Sequence, residues 1–271
     1  MSDVTRDTPQ LADSYDRISE AQFLLGCSLI NKMGVKEGDV MLDVGCGTGR
    51  LTLFAADIVG HSGGIIGLDP SPHRIKIAQE KQSEGRFPNV KFMIGAGEDL
   101  GLFAEATFDG TYYSSVFHWI REKEKVLNEA YKVLKPGGRI GITMPDPGGL
   151  NEFLRSLIKE IVSRPAYSQH FRRTSTENIL ITKETLDSLF GKTPFVNLKI
   201  EIMEKRRLYR SASSLIEFYS ASSFGNFLSF MPENLRDELK KDIIIELQKE
   251  MALDGLELIS KTILAIADKP A

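Results

Sequence analysis

Cysteine is scarce in this sequence, which has only Cys27 and Cys46 among 271 residues. No Cys-x-x-Cys pair and no Cys/His spacing typical of zinc ligands is present, so we expect no metal site. So few cysteines in a chain of this length are typical of a reducing compartment, and the composition predicts a cytoplasmic protein.

Long apolar runs are also lacking. No run approaches the roughly 20 apolar residues that a membrane-spanning helix needs. The N-terminal stretch MSDVTRDTPQLADSYDR is polar and charged, unlike a signal peptide or an anchor. The formal net charge of −3 does not suit a whole-chain nucleic-acid binder. We therefore expect neither a membrane nor a nucleic acid as partner.

Strand and helix patterns alternate from about residue 40 to about residue 145. Short apolar strands that each lead into a helix predict an α/β fold, with a mostly parallel sheet covered by helices on both faces. Before them, residues 16–34 have helical spacing and end at Gly34. Near the end of this region, a helix in REKEKVLNEAYKVLKPGG is predicted to stop at the Pro-Gly-Gly turn.

The second half of the chain has a different pattern. Residues 148–190 and 211–252 are predicted to be helical, with strands at about 195–208 and 256–267. The helices would cover the ligand-binding edge of the sheet as a lid. Because no linker or repeat divides the chain, we expect one domain, 1–271. It comprises a cofactor-binding core (1–146), a mainly helical cap with the sixth strand (147–252) and a last strand (253–271).

The stretch VMLDVGCGTGR, residues 40–50, runs from a strand through Gly45, Gly47 and Gly49 into a helix. Such a loop brings backbone N–H groups close to a ligand. A phosphate-binding loop would need a lysine that is absent, and a dinucleotide fingerprint would have glycine where Arg50 stands. A tight turn with no ligand is the remaining alternative.

Two aspartates flank this loop in the predicted sheet. Asp69 closes the second strand, where a carboxylate can accept hydrogen bonds from ribose hydroxyls. Asp43 lies two residues before Gly45. Later segments add GAGEDL after the third strand, FDGTYYSSVFHW around the fourth and VLKPGGRIGI before the fifth.

With LDVGCGTGR and VLKPGGRI in this order, residues 15–143 resemble the class I S-adenosylmethionine-dependent methyltransferases. The layout is similar to small-molecule enzymes such as the trans-aconitate, malonyl-carrier-protein and juvenile-hormone-acid methyltransferases. The resemblance implies a Rossmann-like sheet of seven strands with the last one antiparallel. It also implies S-adenosyl-L-methionine as the cofactor.

The resemblance also implies roles for individual residues. The glycines of the loop would admit the methionine part of the cofactor, Asp43 would face its amino group, and Asp69 would bind the ribose hydroxyls. The remaining implied cofactor-binding residues line the adenine or the methionine end, and they are Tyr15, Pro70, Gly97, Glu98 and Ser114. One position departs from the family pattern: Ala96 stands where an aspartate often binds the adenine amino group. Glu98, Asp99 or water would then replace it, and the cofactor affinity would be lower.

His118 is the candidate catalytic residue, because it follows the fourth strand at the ligand-binding edge and an ordinary histidine pKa suits a base near neutral pH. Alternatively, His118 lines the pocket or only orients the substrate. Trp119, the only tryptophan, is either a core residue or a wall against which an acceptor stacks.

The second half contains many aromatic residues, which suggest an apolar or aromatic acceptor. Two arginine-rich stretches, HFRRT (170–174) and EKRRLYR (204–210), form either a solvated face or a site for an anionic acceptor. We therefore expect methyl transfer to a small molecule. A carboxylate or hydroxyl oxygen is the first choice of acceptor atom, and carbon or nitrogen stays open. The sequence does not indicate an oligomeric state.

Four alternatives are weighed against this function. A protein, peptide or tRNA methyltransferase would use the same cofactor site. A nicotinamide-dependent oxidoreductase is opposed by Arg50. A non-catalytic cofactor-binding protein is opposed by the intact loop and Asp69, although Ala96 favours it. Arsenite methyltransferases are similar in the cofactor half, but they need more cysteines than this chain has.

Overall fold

The computed structural model describes residues 4–83, 87–147, 152–170 and 180–271. The strands among these residues are β1 (Val40–Val44), β2 (Gly64–Asp69), β3 (Val90–Ile94), β4 (Phe108–Ser114), β5 (Leu134–Pro145), β6 (Val196–Tyr209) and β7 (Leu256–Asp268). The α-helices are α1 (Pro9–Ile18), α2 (Glu20–Met33), α3 (Arg50–Val59), α4 (Pro72–Ser83), α5 (Lys123–Val133), α6 (Glu152–Val162), α7 (Pro165–Ser168), α8 (Lys183–Phe190), α9 (Ala212–Ser222) and α10 (Glu233–Glu250).

The seven strands form one sheet in the order β3-β2-β1-β4-β5-β7-β6. Strands β1 to β5 are parallel, whereas β7 is antiparallel to both β5 and β6. This confirms the predicted fold class, including the antiparallel last strand. Because parallel strands all end at the same edge of the sheet, the residues that follow β1, β2 and β4 lie near one another.

Apolar side chains pack on both faces of the sheet. On one face α2, α3 and α4 bury residues such as Leu29 and Ala55 against Met41 of β1. On the other face α5 and α8 pack against Leu42, the next residue of the same strand. Consecutive strand residues point to opposite faces, so a strand buried on both sides is apolar at nearly every position. This explains the short, continuous apolar runs of the sequence.

Two sequence-based helix boundaries are wrong. Residues 16–34 form parts of two helices, because Ser19, with φ −85° and ψ 19°, separates α1 from α2. The predicted end at Gly34 is confirmed, with φ +70° at that residue. The Pro-Gly-Gly segment is not a turn after α5. It lies inside β5, where the pairing with β4 shifts register between Phe108 and Gly110.

Within the described residues, the second half forms α6 to α10 in the regions predicted to be helical, and it forms the two predicted strands. Residues 148–151 and 171–179, which belong to the predicted helical region, lie outside the described residues. Strands β6 and β7 pair at twelve positions, although α9 and α10 lie between them in the chain. Helices α6, α9 and α10 share a third apolar cluster with Tyr209 and Leu258. The boundaries proposed for core, cap and last strand stay a prediction. Within the described ranges, no helix is both long and apolar enough to cross a membrane.

Candidate functional site

A cavity of about 60 Å³ opens at the carboxyl ends of the parallel strands. Asp43 of β1, Asp69 of β2 and Ser114 of β4 line it together with Tyr15 of α1 and the loop 45–48. We call it the loop cavity. The structure therefore brings together most of the residues that the sequence analysis assigned to the methionine and ribose parts of the cofactor.

The glycines of the loop are needed for different reasons. All three have positive φ angles between 55° and 80°. A Cβ on Gly45 would lie 2.1 Å from the Val116 side chain, and one on Gly49 would lie 2.7 Å from Phe92. Packing therefore leaves no room for a side chain at Gly45 and Gly49, whereas a Cβ on Gly47 would meet only Tyr15, at 3.6 Å. Close approach of a ligand to the backbone is therefore available at Gly47, while Gly49 is small because helix and sheet meet there.

Asp69 is the buried last residue of β2. Its carboxylate accepts hydrogen bonds from the backbone N–H groups of Gly47 and Ser71, each at 2.9 Å. A carboxylate offers about four acceptor positions, so two remain for hydroxyl donors of a ligand. Burial raises the pKa of Asp69, and the nearby Arg74 partly offsets this rise.

Asp43 lies beneath the loop and is 1% exposed. The Thr52 hydroxyl donates to its Oδ2 at 2.7 Å. Burial raises the pKa of the Asp43 carboxyl to about 7. A cationic group bound in the loop cavity would stabilise the ionised carboxylate, which is consistent with the implied role beside an amino group.

A second, smaller cavity of about 30 Å³ adjoins the loop cavity. Pro70, Gly97 and Glu98 line it, as the sequence analysis expected, together with Ala96. Of the two carboxylates considered as substitutes for the missing aspartate, Glu98 belongs to this lining. Asp99 is not among its described lining residues. We call this the small cavity.

Two aromatic rings stand between these cavities. Trp119 and Phe224 line both of them, and the rings meet edge to face with centroids 6.1 Å apart. Trp119 is therefore a cavity wall rather than a core residue. Phe224 has a positive φ of 54°, which is unusual for a residue other than glycine.

A buried ion pair beside the loop cavity was missed by the sequence analysis. Nε of Arg74 lies 3.0 Å from Oδ2 of Asp7, and both side chains are almost fully buried. The Arg74 guanidinium also stacks over Tyr15 and Phe224, at 4.4 and 3.9 Å from the ring centroids. It thereby joins the N-terminal segment, α4 and the end of α9. The backbone N–H of Arg74 donates to Oγ of Ser71 at 3.3 Å, but nothing in the sequence pattern pointed to Asp7.

A larger cavity of about 360 Å³ lies beyond Trp119. Its walls are mainly apolar and come from α1, α2, the segment after β4, the ends of β5 and β6, β7, and α9 with the segment after it. The aromatic residues are Tyr15, Trp119, Tyr209, Phe218, Tyr219 and Phe227. We call it the aromatic cavity. It shares with the loop cavity the residues Tyr15, Gln22, Ser115, Trp119 and Ser222, so the two are neighbours.

A strained turn carries the segment after β4 to this junction. Ser115 has φ +59°, and its N–H donates to the hydroxyl and carbonyl oxygens of Thr143, each at 3.0 Å. Strained non-glycine residues often occur at functional sites. The turn leads into the short 3-10 helix Phe117–Trp119, which places both His118 and Trp119 at the aromatic cavity.

His118 lines the aromatic cavity and is 8% exposed. Burial, together with the positive charge of Lys123, lowers the pKa of His118 to about 3. Its Nδ1 has no hydrogen-bond partner among the described residues. A ring with so low a pKa is neutral at pH 7 but only weakly basic, which favours the alternative that His118 orients the substrate.

The aromatic residues of the second half and the arginines of the two arginine-rich stretches are divided between cavity, core and surface. Phe153 and Phe230 pack with the third apolar cluster, and His170 is exposed. In the EKRRLYR stretch, Arg207 lines the aromatic cavity, whereas Arg206 and Arg210 are exposed. Phe171 and the two arginines of HFRRT lie outside the described residues. Within the described part of the chain, no group of three or more His, Cys, Asp or Glu side chains could hold a metal ion. The absence of a metal stays a prediction.

A family model described as "Methyltransferase domain" matches residues 35–209, which is more than half of the chain. The chain belongs to this methyltransferase family. The match covers the loop, both aspartates, His118 and the first part of the cap. The protein is therefore an enzyme, a methyltransferase that uses S-adenosylmethionine, and the oxidoreductase and non-catalytic alternatives are set aside.

Curated relatives and solved structures agree with this assignment. The chain is 27% identical over 214 residues to a demethylmenaquinone methyltransferase of Anoxybacillus flavithermus, covering 73% of this chain and 89% of the relative. It is 34% identical over 151 residues to a ubiquinone/menaquinone biosynthesis C-methyltransferase of Citrobacter koseri, covering 55% of each. The fold is similar to phosphoethanolamine N-methyltransferase 2 of Haemonchus contortus in complex with S-adenosyl-L-methionine. That match has a TM-score of 0.62 and 22% identity, and it covers 97% of this chain and 58% of the other.

The residues of this methyltransferase fit the chemistry of its cofactor. Asp69 keeps acceptor positions for hydroxyl groups, and Asp43 offers a carboxylate below the loop. In addition, Oε1 of Gln22, which lines the loop cavity, is buried with no hydrogen-bond partner among the described residues. The loop and small cavities are each well below the roughly 300–1,000 Å³ of ordinary ligand sites. We therefore expect Trp119 and Phe224, which line both cavities, to move apart when the cofactor binds.

Proposed function

We propose that this methyltransferase acts on a small, largely apolar acceptor that binds in the aromatic cavity. The observation that carries the proposal is the position of that cavity. It is large enough for a small ring compound, its walls are mainly apolar and include six aromatic residues, and five of its lining residues also line the loop cavity. An acceptor in one cavity would thus lie next to a methyl donor in the other.

The reaction asks little of the protein besides alignment. Bound S-adenosylmethionine supplies an electrophilic methyl group, whose bond pair stays on the sulfur when the methyl carbon takes an electron pair from the acceptor. Tyr15 and Trp119, which line both cavities, would hold the acceptor in line and exclude water. We further propose that Asp43 holds the amino group and Asp69 the ribose hydroxyls, with Pro70, Gly97 and Glu98 around the adenine.

Oxygen is the first candidate for the methylated atom. A carboxylate oxygen, or a hydroxyl oxygen that has lost its proton to solvent, needs no base on the protein. This is consistent with a His118 whose pKa is lowered to about 3. After transfer to a carboxylate or a phenolate oxygen, no further proton has to leave the acceptor.

Carbon is the second candidate, favoured by the names of two relatives, a demethylmenaquinone methyltransferase and a C-methyltransferase of quinone biosynthesis. An ionised hydroxyl on an aromatic ring makes the neighbouring ring carbon nucleophilic as well. Attack by that carbon would form a C–C bond, and the ring would then release the proton of that carbon to water. The same kind of acceptor therefore serves both candidates.

We also propose a cytoplasmic location. Cys27 and Cys46 are both free thiols in the structure, which supports a reducing compartment. The net charge of −3 supports the expectation that nucleic acid is not the partner.

The test is a transfer assay with methyl-labelled S-adenosylmethionine and an acceptor panel. The panel contains aryl carboxylates, hydroquinones, primary amines, a mixed peptide pool and bulk tRNA. We expect label in a carboxylate or hydroquinone product, and NMR of that product would distinguish O-methyl from C-methyl groups. Label only in peptide or tRNA would contradict the proposal. Asp69→Ala, which removes the proposed ribose contact, is the inactive control.

A further inference from the structure

Arg207 is held rigidly in the wall of the aromatic cavity. Its guanidinium lies 3.9 Å from the Phe218 ring centroid and 4.9 Å from that of Tyr209. Nη2 donates to the backbone carbonyl of Ile18 at 2.8 Å. Stacking and this hydrogen bond fix the plane of the side chain, so little conformational freedom is left to lose when a ligand binds.

The Arg207 guanidinium also acts on the Tyr209 hydroxyl, where it partly offsets the rise of the pKa that burial causes. Nη1 is buried and has no hydrogen-bond partner among the described residues. No carboxylate in the described ranges forms an ion pair with this arginine. A buried donor without a partner destabilises the protein, and more so when the group is charged. A guanidinium at a binding cavity that has no carboxylate partner and one unpaired donor is therefore best explained by an anionic ligand.

The charge of the whole cavity has the same sign. Among its described lining residues are two cationic side chains, Arg207 and Lys261, and no aspartate or glutamate. The rest of the wall consists of aromatic and aliphatic side chains, His118, and seven Ser, Thr, Asn or Gln side chains. This combination suits a flat apolar body with one negative oxygen, and it does not suit a cationic amine.

We propose that Arg207 determines acceptor specificity by donating from Nη1 to an oxygen anion, a carboxylate or a phenolate, on an aromatic acceptor. This inference rests on the proposed function, because it assigns the aromatic cavity to the acceptor. Arg207 binds the negative end of the acceptor, and the aromatic walls bind its ring. Neutral analogues of the same shape leave the charged donor unpaired, so they bind more weakly.

The experiment compares matched probes by calorimetry in the presence of S-adenosylhomocysteine. Cinnamate is compared with neutral cinnamamide. At a pH above the pKa of 4-nitrophenol, 4-nitrophenolate is compared with neutral 4-nitroanisole. We expect wild-type protein to prefer an anion about 10- to 100-fold over its neutral partner, as the loss of one charge-assisted hydrogen bond implies. A preference confined to cinnamate identifies a carboxylate acceptor, and one confined to 4-nitrophenolate identifies a phenolate.

Arg207→Gln should reduce the preference to within about twofold, and Arg207→Lys, which keeps the charge, should retain part of it. Arg206→Gln is the matched control. Arg206 precedes Arg207 on the same strand but is exposed and paired with Glu204 and Glu257, so its loss should leave the preference unchanged.

Equal affinity of wild-type protein for both members of both pairs, or no measurable binding of either anion, overturns the assignment. A preference that persists in Arg207→Gln also overturns it. Binding of S-adenosylhomocysteine is measured in the same titrations and confirms that each variant is folded. If wild-type protein fails to bind S-adenosylhomocysteine, the proposed function itself is refuted, whatever the probes show.

Discussion

Replacing Asp43 with asparagine should stabilise the protein above neutral pH while weakening cofactor binding. Burial raises the pKa of this carboxyl to about 7, from an ordinary value of 3.8. Between these two values the unfolded chain has lost the proton that the folded chain still holds, so folding stability falls as pH rises. At about 1.4 kcal/mol per pKa unit, the accumulated loss is about 4 kcal/mol.

Asparagine has the same shape, can accept the Thr52 hydroxyl bond and does not ionise. The advantage of Asp43→Asn over wild type should therefore grow by about 2.5 kcal/mol between about pH 5 and about pH 8, as integration between the two pKa values gives. Urea denaturation at several pH values measures this difference, in which the titration of all other groups cancels. An advantage that does not change with pH would refute the reasoning.

Asp109→Asn provides a control for that experiment. Burial acts to raise the pKa of Asp109, but hydrogen bonds from Lys135 and from the Val40 N–H outweigh it and lower the pKa overall. Asp109 is therefore ionised in both folded and unfolded chains above about pH 5, and its substitution should have an effect on stability that does not vary from there to about pH 8. In parallel, calorimetry should show S-adenosylhomocysteine binding Asp43→Asn about 10- to 100-fold more weakly than wild type.

Three further predictions concern the site. Gly49→Ala should lower the free energy of unfolding by about 2–5 kcal/mol in urea denaturation, because a clash with Phe92 adds to an unfavourable positive φ. Gly47→Ala, which has the positive φ without the clash, should lower it by only about 1–2 kcal/mol. Equal losses would contradict the packing argument. Cofactor binding should change the fluorescence of Trp119, since its ring must leave Phe224, and an unchanged spectrum at saturation would show that the rings do not move. His118→Gln should leave the shape of the pH–rate profile unchanged, and the disappearance of a limb near about pH 6.5 would restore the histidine to a role as base.

The cofactor half of the site could be predicted because its signals are local. Strand β1 ends where its apolar run gives way to glycines, and the helix α3 begins at once after Gly49. Asp69 is found by the same logic, as the polar residue that ends the next apolar strand. The reason for each glycine could not be predicted, because Phe92 and Val116 come from elements that follow much later in the chain. The same is true of Arg74 and Asp7, which are 67 residues apart and meet only in the folded protein.

The sequence left the EKRRLYR stretch open between a solvated face and an acceptor site, because Arg207 contradicts the pattern on which the inward and outward faces of a strand are predicted. Alternation along a strand places apolar residues inward and charged residues outward. In β6 the order is reversed: Leu208 is 41% exposed, whereas its neighbours Arg207 and Tyr209 face the aromatic cavity. A prediction from hydrophobicity alone would therefore have placed Leu208 on the inward face and Arg207 on the outward face. Natural chains break such local rules mainly at functional sites, where a ligand compensates for the conflict. The reversal is thus independent support for a charged ligand at Arg207, and it predicts that Arg207→Leu, which restores the apolar pattern inside the cavity, increases stability in urea denaturation while abolishing the preference for anionic acceptors.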